Sequence, residues 1–218
     1  MRSGVLFDLD GTLVDTNYLH TLAWSRALRD AGEWAPMHAI HRAVGMGADQ
    51  MLPHLIGRVD QDIADRRAVH YATLLDDIRP FPGAADLVQA CSSAGLATVL
   101  ATSSPADEVD VCLERLGIRA ILDGVITADD VETSKPEPDV LQVAVERAGI
   151  DPARCLLIGD SRWDIEAATR AGVGCVALEC GGTSRDELER AGALVVHRDA
   201  GDLLACWRSS PLGDLAGR

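Results

Sequence analysis

Four short stretches of this 218-residue chain concentrate side chains that could do chemistry. They are Asp8-Leu9-Asp10-Gly11-Thr12, Thr102-Ser103-Ser104, Thr133-Ser134-Lys135-Pro136 and Gly159-Asp160-Ser161-Arg162-Trp163-Asp164. Carboxylates brought together repel one another and need a cation. An all-oxygen ligand set with open positions suits Mg2+. A hard metal beside a nucleophilic carboxylate, hydroxyls and a lysine suits phosphoryl transfer. The electrostatics demand such help. A carboxylate facing a phosphate meets repulsion of about 4 kcal/mol per charge pair at ~4 Å and an effective dielectric of ~20. Mg2+ and Lys135 would offset that repulsion and clamp the transferring group in line. A phosphoaspartate formed this way would then be hydrolysed by water.

Lysine usage singles out one position. Of 20 cationic side chains 19 are Arg, and the one Lys is Lys135, inside a candidate stretch. Asp8-Leu9-Asp10-Gly11 does not fit a calcium loop of the EF-hand type. That loop needs Gly at its sixth position and Glu at its twelfth; here Gly stands fourth and Leu19 twelfth. Asp164 and Thr102 also have ordinary readings, as a first-turn helix acid and a helix N-terminal hydroxyl. His38 and His41 stand three apart, but no Cys or carboxylate completes a zinc set.

The elements that must position these residues follow from hydrophobic patterning. Gly4–Phe7 is a short apolar run ending at Asp8 and reads as a buried strand. The next comparable strand is 97–101, too far on for one crossover helix. The intervening segment reads as helical. One helix carries Leu19, Leu22, Ala23, Ala27 and Leu28 on one face and ends at Gly32. Shorter helices follow, broken by Gly45, Gly47, Pro53 and Gly57, and a last helix runs over about 60–78. Arg79-Pro80-Phe81-Pro82-Gly83 is a rigid re-entry point. Beyond it the pattern predicts helix 84–94, strand 97–101, helix 105–116, strand 124–127, helix 138–148, strand 154–158, helix 163–171, strand 174–178, helix 184–191 and strand 193–196. Such alternation implies an α/β fold, a doubly wound parallel sheet with right-handed crossovers. In open parallel sheets ligands sit beyond the carboxyl ends of the strands, where the four stretches would converge. The tail after about Gly201 is small and polar and reads as loose. The expected division is 1–15 with 81–218 as core and 16–80 as an inserted helical piece.

Composition narrows the partners. The net charge of −14 argues against nucleic acid and anionic membrane surfaces. No apolar run approaches the ~20 residues of a membrane span, and Asp8 falls where a signal peptide would be apolar. Cys91, Cys112, Cys155, Cys175, Cys180 and Cys206 show no CxxC pair and read as buried hydrophobes in a reducing cytoplasm. Residues 16–80 carry 7 Arg against 8 acids and five of the six His, so they differ in composition from the rest.

Together the four motifs, in order and spread over residues 5–164, resemble the haloacid dehalogenase superfamily, in the subgroup with a helical cap inserted after the first strand. The resemblance implies a Rossmann-like core with strand 1 central, and a Mg2+-dependent phosphatase acting on a small phosphorylated metabolite through an aspartyl-phosphate. It implies Asp8 as nucleophile and metal ligand, and Asp10 as general acid then base, its carbonyl a metal ligand. Thr102 and the Ser103 N–H would hold phosphoryl oxygens. Lys135 would neutralise charge between nucleophile and phosphate. Asp160 would ligate Mg2+, and Asp164 would support metal waters or Lys135 from behind. Gly11 and Thr12 would shape the turn, and Asp15, Thr16 and residues 80–83 would flank the cap hinges.

Asp15-Thr16 followed by His20 and Trp24 is similar to β-phosphoglucomutase, where the histidine contributes to the hinge and the acid/base switch. A sugar-phosphate mutase is therefore the alternative. Against it, Gly45-Met46-Gly47-Ala48-Asp49-Gln50, which looks like a cap specificity loop, lacks the arginine of such mutases, and the expected cap lysine is absent. Arg42, Arg58, Arg66, Arg67 and Arg79 read mostly as solvated helix faces, one or two of which would meet substrate. Dehalogenation is disfavoured because dehalogenase relatives lack an acid at the position of Asp10. A phospho-accepting receiver domain, the non-enzyme alternative, is disfavoured by chain length, by the insert and by Asp10. The substrate and the oligomeric state are not legible.

Overall fold

Val5, Leu6 and Phe7 have no exposed surface on either side, so the first strand can exist only in the middle of a covered sheet. In a computed structural model describing residues 1–217, β1 (Arg2–Phe7) is flanked by β2 (Ala97–Ala101) and β4 (Ile150–Gly159). β3 (Gly124–Ile126), β5 (Gly174–Leu178) and β6 (Val195–His197) complete six strands in the order β3-β2-β1-β4-β5-β6. Every pairing is parallel, for example Leu6 beside Val99 on one side and Leu157 on the other. Side chains alternate between faces. Val5, Phe7, Leu100 and Ile158 enter one apolar layer; Leu6, Val99, Leu157 and Cys175 enter the other.

Helices α5 (Ala84–Ser93), α6 (Ala106–Leu116), α7 (Asp139–Ala148), α8 (Arg162–Ala171) and α9 (Arg185–Ala191) connect the strands. Between β1 and β2 lie α1 (Asn17–Asp30), α2 (Met37–Ala43), α3 (Ala48–Ile56) and α4 (Gln61–Ala72). These four have an apolar core of their own, built on Trp24, Leu28, Ile40, Met51, Leu52 and Ile63. Their two connections to the sheet run side by side. The Asp15 N–H donates to Arg79 O at 2.8 Å, and the Phe81 N–H donates to Leu13 O at 2.9 Å.

Some expectations need correction. Pro53 does not break a helix; α3 runs through it. A proline removes its own N–H bond and crowds the carbonyl four residues back, here that of Asp49, in the first turn of a short helix. The last helix of the insert stops at Ala72, and a separate 3-10 turn spans Leu75–Asp77. The tail is not loose. It forms α10 (Ala200–Ala205) and α11 (Pro211–Ala216), and Leu203, Leu212 and Leu215 are buried in the main core. Average polarity hid three leucines, spaced to place one or two per short helix. Cys206 is exposed at the end of α10, and Cys180 is half-buried in a turn at the margin of the main core. Among the described residues no helix is long and apolar enough to cross a membrane.

Leu212 tests the tail. Its replacement by Ala should cost about 2–5 kcal/mol, as for a packed core leucine, read as a fall in the denaturant midpoint. A change within about 0.5 kcal/mol would place the residue on the surface instead.

Candidate active site

The carboxyl edge of the sheet gathers the candidate stretches around Lys135. This side chain is 0% exposed, and its Nζ donates to Asp8 Oδ1 at 2.5 Å and to Asp164 Oδ1 at 2.8 Å. Asp8 leaves the end of β1 with its N–H still bonded to Ile158 O at 2.9 Å, so the sheet ladder aims it. Asp164 sits in the first turn of α8. Its Oδ2 accepts from the Ser161 N–H at 3.1 Å and the Ser161 hydroxyl at 2.6 Å, a reciprocal cap. One oxygen of Asp164 thus serves the helix start and the other meets Lys135.

Asp160 follows β4. It accepts from Thr12 Oγ1 at 3.1 Å and from Asn17 Nδ2 at 2.9 Å. Two glycines make room for it. A Cβ at Gly181 would lie 1.7 Å from Asp160 Oδ2, and one at Gly11 would lie 2.5 Å from the same atom. Gly11 also has φ +78°, a conformation that disfavours any other residue. Asp8, Asp160 and Asp164 each offer an oxygen within 4.8 Å of the others.

One ammonium cannot neutralise three buried carboxylates. Burial pushes the Asp8 carboxyl up to about 7, against the pull of Lys135 and with the push of Asp164 and Asp10. Burial, then the charges of Asp164 and Asp8, push Asp160 well above the usual carboxylate range. Burial works to lower Lys135, yet Asp164 and Asp8 hold it above the usual lysine range. The donor set is all oxygen and short of positive charge, so it suits a hard divalent cation.

Asp10 faces a different set of partners. Its Oδ1 accepts from Thr16 Oγ1 at 2.6 Å and contacts His20 Nε2 at 2.8 Å; its Oδ2 accepts from Ser104 Oγ at 2.5 Å. Burial works to raise this carboxyl, but His20, then the Ser104 and Thr16 hydroxyls, hold it well below the usual range. Behind His20, Arg67 donates to Nδ1 and also to Glu108 Oε1. A guanidinium only donates, so Nδ1 accepts and Nε2 carries the proton given to Asp10. Tyr71 stacks on His20 at 4.2 Å and lies under the Arg67 guanidinium at 4.7 Å.

Thr102 is buried, and its hydroxyl accepts from the Ser104 N–H at 3.1 Å; Ser103 Oγ accepts from the Lys135 N–H at 3.3 Å. A cavity of about 470 Å³ opens over Asp8, Asp10, Thr102 and Ser103 and reaches up to the inserted helices. Gly45–Asp49 of the predicted specificity loop line it, and Asp49 Oδ2 accepts from the Ser134 N–H at 3.1 Å. Gln50 does not line it. Of the five insert arginines singled out only Arg67 does, and it is the exception to the mostly solvated reading, at 9% exposed. Arg42, Arg58 and Arg66 pair with surface acids instead. Ser104, Asn17 and Glu108 are additions. Ser104 could have been found in its hydroxyl run. Asn17 and Glu108 reveal themselves only through partners 143 and 41 residues away.

The family model for haloacid dehalogenase-like hydrolases matches residues 3–172. The chain is 32% identical to the phosphoglycolate phosphatase of Escherichia coli, over 92% of this chain and 90% of that protein. It is 34% identical to an N-acetylmuramic acid 6-phosphate phosphatase of Pseudomonas aeruginosa, over 81% of each. A solved hydrolase from Pseudomonas syringae superposes with a TM-score of 0.89 at 34% identity, covering 95% of this chain and 99% of that one. The six-stranded order with β1 central, the carboxylate–lysine edge and a match across most of the chain agree: this enzyme belongs to the haloacid dehalogenase-like hydrolases.

Proposed function

We propose that the chain is a Mg2+-dependent phosphatase that transfers the phosphoryl group of a small metabolite to Asp8 and then to water. The observation that carries this reading is the direct, fully buried contact of Lys135 with Asp8 and Asp164, beneath a cavity and beside a carboxylate cluster short of one cation. Asp8, Asp160 and the Asp10 carbonyl would hold Mg2+, with Asp164 orienting the surroundings. When bound, the metal neutralises phosphoryl charge and favours in-line attack. Residues 16–80 would act as the cap, and 1–15 with 81–218 as the catalytic core. The buried free cysteines fit a reducing compartment, which supports a cytoplasmic site of action.

The chain's own groups supply the remaining steps. Asp8 Oδ attacks phosphorus as the bridging oxygen leaves. Lys135 keeps the Asp8 carboxylate in line and offsets charge on the phosphoryl oxygens, which Thr102 Oγ1 and the Ser103 N–H would hold. Asp10 gives a proton to the leaving oxygen, then takes one from the water that cleaves the phosphoaspartate. Its contacts favour the ionised state, ready for the second role. The first role requires a proton on Asp10, so the His20 and Ser104 bonds must be exchanged for the substrate's bridging oxygen. The Asp10–His20 contact is also the observation that favours the mutase alternative.

EDTA should abolish phosphate release and Mg2+ should restore it; full activity in EDTA would sink the metal assignment. The same cluster sets a pH dependence. The folded Asp8 carboxyl keeps its proton up to about 7, whereas its ordinary value is 3.8. The stabilisation is present below the lower value and lost as pH rises through the upper one. In EDTA the melting temperature should therefore fall across that window, and Mg2+ should raise it more at about pH 7.5 than at about pH 5.

Asp8→Asn should lose all turnover. Asp10→Asn should slow it about 100- to 10,000-fold, the usual worth of general acid–base catalysis, while keeping the Mg2+-induced rise in melting temperature. Near-normal rates for both would refute these roles. Conversion of glucose 1-phosphate to the 6-phosphate faster than phosphate release would favour the mutase. Lys135→Arg should cost nearly as much as Lys135→Ala, because a planar guanidinium is wider than the slot and a shift of ~1 Å costs about a hundredfold. An Arg variant close to the wild-type rate would show that charge alone matters there.

A further inference from the structure

We infer that the leaving group accepted by this cavity bears no negative charge, so that the substrates are phosphomonoesters of neutral, hydroxyl-rich alcohols. The inference rests on the phosphatase reading and goes beyond it, to the part of the substrate that is released.

The charges of the cavity wall carry it. Away from the catalytic floor, Asp49, Asp65, Asp107, Asp129 and Glu132 line the cavity, and among the described residues none of the five forms an ion pair. Among the described residues Arg67 is the sole lysine or arginine in the lining. It is already engaged, by Glu108 through one terminal nitrogen, by His20 through the other, and by the face of Tyr71. His20 is engaged at both ring nitrogens. A carboxylate on the leaving group would meet five acids without an ion pair, four of them exposed at the rim, and no free cation among the described lining residues. Hydroxyls, by contrast, can donate to those same acids.

Size points the same way. About 470 Å³ lies within the range of sites for ligands larger than a two-carbon acid. This sets the chain apart from the relatives named for phosphoglycolate and for N-acetylmuramic acid 6-phosphate, whose released alcohols each carry a carboxylate.

The test uses the full chain with Mg2+ and two matched pairs of esters. Glucitol 6-phosphate is set against 6-phosphogluconate, and 2-hydroxyethyl phosphate against 2-phosphoglycolate. Each pair differs chiefly in one negative charge on the leaving group. The neutral member should have the higher kcat/KM by about tenfold or more, since several partly screened repulsions add. The gap should narrow in about 1 M salt, where the screening length falls to ~3 Å. Asp107→Asn combined with Glu132→Gln should narrow it as well, by raising the carboxylated members. Equal or reversed preference within both pairs would overturn the inference, as would a ratio unmoved by salt and by the double variant. p-Nitrophenyl phosphate separates the two levels. Its turnover together with a carboxylate preference overturns only the leaving-group inference, whereas no phosphate from any of the five esters overturns the phosphatase reading as well.

Discussion

The Lys135 ammonium lies entirely out of water, and a buried charge of that kind persists only when its partners are close and fixed. Here both partners are fixed by backbone. Asp8 is aimed by the end of β1, whose N–H continues the ladder with β4. Asp164 is held by the turn that starts α8, through two bonds from Ser161. The sheet order is what brings these two strand ends beside each other, with β1 and β4 adjacent at its centre. The excess of carboxylate over ammonium then makes the edge hungry for a further cation. Fold, charge and metal demand thus follow from one contact.

Much of this was legible in the residues. The strands were visible as apolar runs ending at Asp8, Thr102 and Gly159, because a strand covered on both faces has no polar positions to blur it. Lys135 stood out because the chain uses arginine everywhere else. Other features were illegible for physical reasons. Arg67 looks like its exposed neighbour Arg66, since one helical position decides between solvent and the His20 ring. Asn17 contacts Asp160 only because the first turn of α1 folds back over the sheet edge. The tail looked loose because three buried leucines are diluted among small and polar residues.

A second contact network crosses between the inserted helices and the core. Arg67 belongs to α4, His20 to α1 and Glu108 to α6, and all three meet above Asp10. Glu108 therefore ties a core helix to the group that orients His20. Arg67, which only donates, and the ionised Asp10 carboxylate, which only accepts, fix the same His20 tautomer from the two sides of the ring.

The paired crossings at Leu13–Phe81 and Asp15–Arg79 bear on how such a molecule can diverge. Because the two ends of the insert meet in hydrogen-bonded register, the core experiences the whole helical segment as a tight hairpin. Lengthening a closed loop costs little, about 0.6 kcal/mol per doubling of its length. Helices can therefore be added, lost or exchanged at this junction without disturbing strand order or the distance between Asp8 and Lys135. On the proposed reading, the junction would let chemistry stay constant in the sheet while selectivity drifts in the insert, two traits inherited on one chain yet free to evolve at different rates.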